Sequence, residues 1–167
     1  MARRKVNVSS TPLKTSESHS ASENEGVLFQ EALNVACKEW QIRLGLQDWI
    51  VEVRVDRAKD LDPDCRSFAV NTHYPTEKFS SIKVVDPVDL SIMELALPKG
   101  EAHDYDLHLV HELIHLHFAP FQVDDSDPKH LYQEQAINML SRSIIRAYRS
   151  TGQAVPPTVP VHVGHYF

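Results

Sequence analysis

Leu107-His108-Leu109-Val110-His111-Glu112-Leu113-Ile114-His115-Leu116-His117-Phe118 is the stretch on which the fold turns. At 3.6 residues per turn, Leu107, Val110, Ile114 and Phe118 fall on one side of a helix, and Leu109, Leu113 and Leu116 on the other. A helix that is apolar all round is buried. Asp104 and Asp106 stand in its first turn, where the helix dipole favours negative charge, and Pro120 ends it. The spacing therefore predicts a buried helix from about Asp104 to Phe118. Buried polar groups are costly unless partnered, so two histidines and a glutamate on such a helix need an explanation. His111 and His115 lie about 40° apart around the axis and one turn apart along it, so their imidazoles converge on one point. A metal ion there would satisfy both. Glu112, about 100° round from His111, stands beside that point, where a carboxylate takes a proton from metal-bound water. The competing reading is a helix whose histidines simply hydrogen-bond to neighbours.

Upstream, residues 1–25 are rich in Ser, Lys, Glu and Asn and read as a disordered tail. Phe29, Leu33, Ala36, Trp40 and Leu44 recur at spacings of three and four, which is a helical stripe, and Gly45 follows at the helix end. Trp49, Val51, Val53 and Val55 then alternate with Glu52, Arg54 and Asp56, the pattern of a half-buried strand. A second strand is expected over Arg66–Tyr74, with Phe68, Val70, Thr72 and Tyr74 on one face. A third is expected over Ser81–Val85. Together they read as a short, mostly antiparallel sheet. A short helix is expected over Asp89–Leu97. Asp127-Pro128 reads as an N-cap and first helical residue. The last helix spans roughly Pro128–Ser150, its apolar face carried by Ile137, Leu140, Ile144 and Tyr148.

Glu134 and Asn138 sit one turn apart at the edge of that apolar face. A glutamate there either ligates a metal or pairs with a cation. His111-Glu112-x-x-His115 followed nineteen residues later by Glu134 resembles the gluzincin metallopeptidases, in their small single-domain "minigluzincin" form. The resemblance covers roughly Asp104–Ser150. It implies an α+β, zincin-like domain over residues 26–151, with the sheet packed on an N-terminal helix, the His-Glu-x-x-His helix and the glutamate helix. It implies Zn2+ held by His111, His115 and Glu134, with Glu112 as general base. It implies Asn138 as the residue that orients His111, where larger enzymes of the family commonly carry aspartate. The family's oxyanion-stabilising tyrosine or histidine has no counterpart by motif; His103, Tyr105, His108 and Tyr132 are the candidates.

The function expected on these grounds is zinc-dependent hydrolysis of peptide bonds in a peptide or protein substrate, through zinc-bound water activated by Glu112. Two alternatives stand beside it: a repressor-cleaving regulatory protease, and a catalytically weak or latent zinc-binding interaction module. Residues 152–167, with His162 and His165 in an apolar, proline-led segment, form a C-terminal tail that is a candidate self-inhibitor. Small gluzincins are held latent by such segments. His108 reads as a cleft-lining or a hydrogen-bonded histidine, His117 as structural or exposed, and the aspartates at 124, 125 and 127 as a solvated loop with a cap. The rim strand for an extended substrate is expected to be Ser81–Val85.

Composition narrows the partners. The formal charge of −6 argues against a nucleic-acid partner. No apolar run is long enough for a spanning helix and no signal peptide is visible, so no membrane partner and a cytoplasmic location are expected. Cys37 and Cys65 form no Cys-x-x-Cys pair. They read as free thiols, with a disulfide between them as the alternative.

Overall fold

The computed structural model describes residues 17–64, 66–93, 103–121, 123–124 and 126–152, with the side chains of 17–25, 91 and 92 excepted. The chain runs α1 (Glu17–Arg43), β1 (Ile50–Asp56), α2 (Ala58–Leu61), β2 (Ala69–Tyr74), β3 (Phe79–Val85), a 3-10 turn (Pro87–Asp89), α3 (Leu90–Met93), α4 (Tyr105–Phe118), a second 3-10 turn (Ala119–Phe121) and α5 (Pro128–Ser150). The class is α+β. Helix α1 begins at Glu17, so residues 17–25 belong to it and not to a tail. Residues 1–16, the C-terminal tail from 153 onward, Cys65 and the end of the expected helix over Asp89–Leu97 lie outside the described residues.

Helix α1 buries the stripe read from its sequence: Phe29, Leu33, Ala36 and Trp40 are buried and Leu44 partly so. It ends where Gly45 adopts φ of 69°, a conformation that glycine reaches without a Cβ penalty. Helix α4 is the centre of the core. Leu109, Val110 and Leu113 have no exposed surface, and Ile114 and Leu116 are almost fully covered. Each such side chain contributes about 2 kcal/mol of burial. Asp104 caps the helix by accepting from the Leu107 amide. Asp127 does the same for α5 through the Lys129 amide, with Pro128 in the first turn.

The sheet corrects the mostly antiparallel expectation. Its order is β1-β3-β2, with β2 antiparallel to β3 but β1 parallel to it. The cause is the connection over residues 57–68, which is long enough to carry the chain past one strand position. Its start is anchored by Asp89, which takes two hydrogen bonds from the Arg57 guanidinium at 2.8 and 2.6 Å and one from the Ala58 amide at 2.9 Å. The hairpin after β2, with Lys78 at φ of 51°, then lays β3 into the gap between β1 and β2. Strand β3 is therefore central and cannot be the rim strand. The edges are β1 and β2.

The two edges differ. On β1 the Gln30 carboxamide donates to the Val53 carbonyl and accepts from the Val55 amide, both at 2.9 Å, so a side chain of α1 takes the place of a neighbouring strand. On β2 the Val85 amide bonds the Phe68 carbonyl, which puts positions 68, 70, 72 and 74 in bonding register with β3. Among the described residues, the backbone groups of Ala69 and Asn71 face an edge with no neighbouring strand. Val70, Thr72 and Tyr74 lie on the outer side, with Thr72 and Tyr74 exposed, while Ala69, Asn71 and His73 turn toward α4; Phe68, just before the strand, is instead buried against His103 and His108. Alternation located this strand without deciding which face is inward, because the inward positions include polar residues.

Helix α5 packs on α4 through Ile137, Ser141 and Ile145, all buried, with Ile144 and Tyr148 beside them. Leu140 lies off this face and is exposed. The C-terminal half is pinned by Arg149, which grips Asp104 with two hydrogen bonds at 2.7 and 3.0 Å and reaches Asp106 at 3.5 Å. Tyr148 meets Trp40 edge to face. These contacts set the position of α5 along α4, and so the position of Glu134. Among the described residues no helix is long and apolar enough to cross a membrane.

Candidate metal centre

His111 and His115 project from successive turns of α4, and Glu134 comes to meet them from α5. His111 Nε2 and His115 Nε2 are 3.2 Å apart, His111 Nε2 and Glu134 Oε2 3.5 Å, and His115 Nε2 and Glu134 Oε1 3.4 Å. A tetrahedral site with bonds of about 2.0–2.1 Å has its ligand atoms about 3.3 Å apart. The observed triangle matches that spacing on all three sides. Among the described residues this is the cluster of three His, Cys, Asp or Glu side chains able to hold a metal ion. All three residues are partly exposed, so the site is reachable from solvent.

Its electrostatics favour ligation. Burial, reinforced by His115, pushes the His111 pKa down to about 4, while Glu134 and a side-chain hydrogen bond with Asn138 oppose the shift. Burial, reinforced by His73 and His130, pushes His115 to about 4 as well. Both rings are therefore neutral at neutral pH, the state in which an imidazole nitrogen can bind a cation. Asn138 is in contact with His111, one turn beyond Glu134 on α5.

Glu112 is buried beside the triangle. Its carboxyl pKa is raised to about 8, first by burial and second by the charge of Glu134. Its backbone carbonyl accepts from Asn71 Nδ2 at 2.9 Å, and Asn71 Oδ1 in turn accepts from Ser80 Oγ at 2.8 Å. This chain of bonds clamps the edge strand β2 to the helix at the position of Glu112. Between β2 and α5 runs a cleft of about 540 Å³, lined by Ala69, Asn71, His111, Glu112 and Glu134 among others.

The other sequence candidates scatter. Tyr105 is buried and donates to the Val85 carbonyl. His103 is buried, and its ring, that of His108 and that of Phe68 all touch one another, with His108 and Phe68 at the cleft wall. Tyr132 is 68% exposed and turned away from the core. His117 bonds the Leu44 carbonyl at the surface. Cys37 is buried and free, its thiol pushed up to about 12 by burial. Asp124 and Asp127 cap turns, as a solvated loop would.

Two cleft residues belong to no sequence motif. His130 lies one turn before Glu134 on α5, with Nε2 3.7 Å from Glu134 Oε1, and His73 faces the same end of the cleft from β2. The signal for His130 was its four-residue spacing to Glu134. For His73 it was shared parity with Asn71 along the strand. Comparison of the chain with protein-family models, with curated proteins and with solved structures returns no match.

Proposed function

We propose that this chain is a zinc-dependent peptidase with His111, His115 and Glu134 as ligands and Glu112 as general base. The observation that carries this reading is the ligand triangle of 3.2, 3.4 and 3.5 Å with a buried carboxyl beside it. Its fit to zinc spacing, its neutral imidazoles and its two-nitrogen, one-oxygen donor set all favour a site with a fourth position left for substrate or water. Zinc, when bound, supplies a Lewis acid that polarises a carbonyl and makes water more acidic.

The chain's own residues do the rest. Glu112 takes a proton on its carboxylate and later delivers it to the departing amine nitrogen. With zinc in place its pKa falls below the value set by burial and Glu134 alone, since a nearby cation favours the carboxylate. Asn138 fixes the ring of His111. The outer edge of β2 offers the backbone groups of Ala69 and Asn71 to an extended peptide, which adds to the sheet as a further strand. Asn71 brings that edge to Glu112. The capped edge of β1 offers no such place. A zincin-like, gluzincin-type arrangement is the reading that joins these features.

The test is Glu112→Gln. We expect the variant to retain one zinc per chain and to lose peptide hydrolysis by at least about 10². Hydrolysis at the parent's rate sinks the mechanism. Stoichiometric zinc with no cleavage of unfolded substrates by the parent favours the interaction-module reading.

A further inference from the structure

Helix α1 buries one face in the core and carries a second apolar stripe on its outer side. Val27, Leu28, Val35 and Ile42 are 59%, 64%, 49% and 51% exposed. Single apolar side chains scattered over a surface need no explanation, but these are aligned. Leu28, Val35 and Ile42 follow one another at seven-residue intervals, and Glu31 and Lys38 fall between them at steps of three and four. At 100° per residue, Leu28, Glu31, Val35, Lys38 and Ile42 occupy a strip about 80° wide, the seam of a helix that packs on another helix. The stripe through Phe29, Leu33, Ala36 and Trp40 is taken by the core, so the outer seam is a separate surface.

The charges on the seam say what fits it. Glu31 and Lys38 are exposed, and neither forms an ion pair among the described residues. Glu39, on the flank, is already paired with Arg43 at 3.4 Å. Let a second copy be turned about a twofold axis beside Val35, with the two helices antiparallel. Val35 then meets the partner's Val35, and Leu28 meets the partner's Ile42. Glu31 and Lys38 lie on the same flank, on either side of Val35, so Glu31 comes level with the partner's Lys38 to within one residue, about 1.5 Å. The seam is thus complementary to itself, as a twofold dimer requires. A parallel pairing would set Glu31 against Glu31 and Lys38 against Lys38.

We propose that the outer face of α1 is the contact surface of an antiparallel homodimer, with Leu28, Val35 and Ile42 as its apolar seam and two Glu31–Lys38 ion pairs across the axis. The ion pairs set the direction of pairing more than its strength. One helix face per chain makes a small interface, so the dimer dissociates on dilution. The cleft lies elsewhere. Strands β1 and β2 are opposite edges of the sheet; α1 covers the β1 edge through Gln30, and the cleft runs beside β2. The inference therefore stands apart from the metal-centre reading.

Sedimentation velocity of the full chain, from about 1 to about 500 µM, reads the association. The expected result is a mass that rises with concentration from 19.0 kDa toward twice that value. Val35→Asp, which sets two like charges together in the seam, weakens the dimer by at least about tenfold. Glu31→Lys and Lys38→Glu each weaken it by at least about threefold, and the variant carrying both changes recovers the parent's association. Unchanged helical circular dichroism checks the fold of every variant. A parent that stays monomeric overturns the proposal and leaves the seam to a segment of its own chain or to another protein. A dimer unaffected by Val35→Asp overturns it by placing the contact on another surface. Single charge reversals that leave association unchanged overturn the antiparallel pairing.

Discussion

Replacing His103 by Phe removes a defined part of the protein's acid sensitivity. His103 is 4% exposed, and among the described residues neither ring nitrogen has a hydrogen-bond partner. Its ring is enclosed by Tyr105 at 4.1 Å, His108 at 4.8 Å and Phe68 at 4.8 Å. Burial first, then His108, pushes its pKa from 6.5 to about 3, against a smaller opposing effect of Asp104. In the folded chain the ring is neutral; in the unfolded chain it protonates near its ordinary value. Between these two values the unfolded state binds more protons, so stability falls as pH falls. The contribution is intact above about pH 6.5 and is lost progressively toward about pH 3. At about 1.4 kcal/mol per pH unit, the full loss is on the order of 5 kcal/mol, and about 2 kcal/mol of it is reached by about pH 5. Urea unfolding of the metal-free chain at about pH 7.5 and about pH 5 measures it. The parent's loss between the two conditions should exceed that of His103→Phe by about 2 kcal/mol, since the remaining histidines titrate in both proteins. Equal losses would refute the reasoning and show that His103 meets water in the folded state.

The other predictions concern the scaffold of the site. Asn138→Ala should weaken zinc binding about 10- to 100-fold by freeing the His111 ring, measured by competition with a chelating dye; Asn138→Asp should retain or strengthen it. Arg149→Ala leaves Asp104 without its paired hydrogen bonds and the buried Asp106 without its nearby cation, and should cost about 1–3 kcal/mol in urea unfolding. Gln30→Ala uncovers the β1 edge, losing about 1–2 kcal/mol and raising self-association in light scattering.

How much of this was legible beforehand depended on the range of the forces involved. Helix α4, its burial and its cap followed from apolar residues placed all round a 3.6-residue period, and the start of α5 from Asp127-Pro128. Those are local signals. Strand alternation in β1 was equally plain. The same rule located β2 but left its inward face undecided, because the inward positions Asn71 and His73 are polar and face the cleft and the helix carrying Glu112. The parallel pairing of β1 with β3 left no mark on either strand, since it depends on where the connection over residues 57–68 travels and on Asp89 anchoring its start. The helical reach of α1 back to Glu17 was hidden by a polar composition that resembles a tail.

The five residues from His111 to His115 were enough to place two imidazoles on one side of a helix, because helical geometry brings positions four apart together whatever surrounds them. Sequence therefore determined the pair and the neighbouring carboxyl. It could name Glu134 only by spacing and resemblance. Tertiary structure decided that Glu134 meets the pair at 3.4 and 3.5 Å, through the packing of Ile137, Ser141 and Ile145 and the grip of Arg149 on Asp104. It also decided which sheet edge is open, and that His73 and His130 share the cleft. Contacts between residues distant in the chain depend on how whole elements pack, and no local periodicity encodes that.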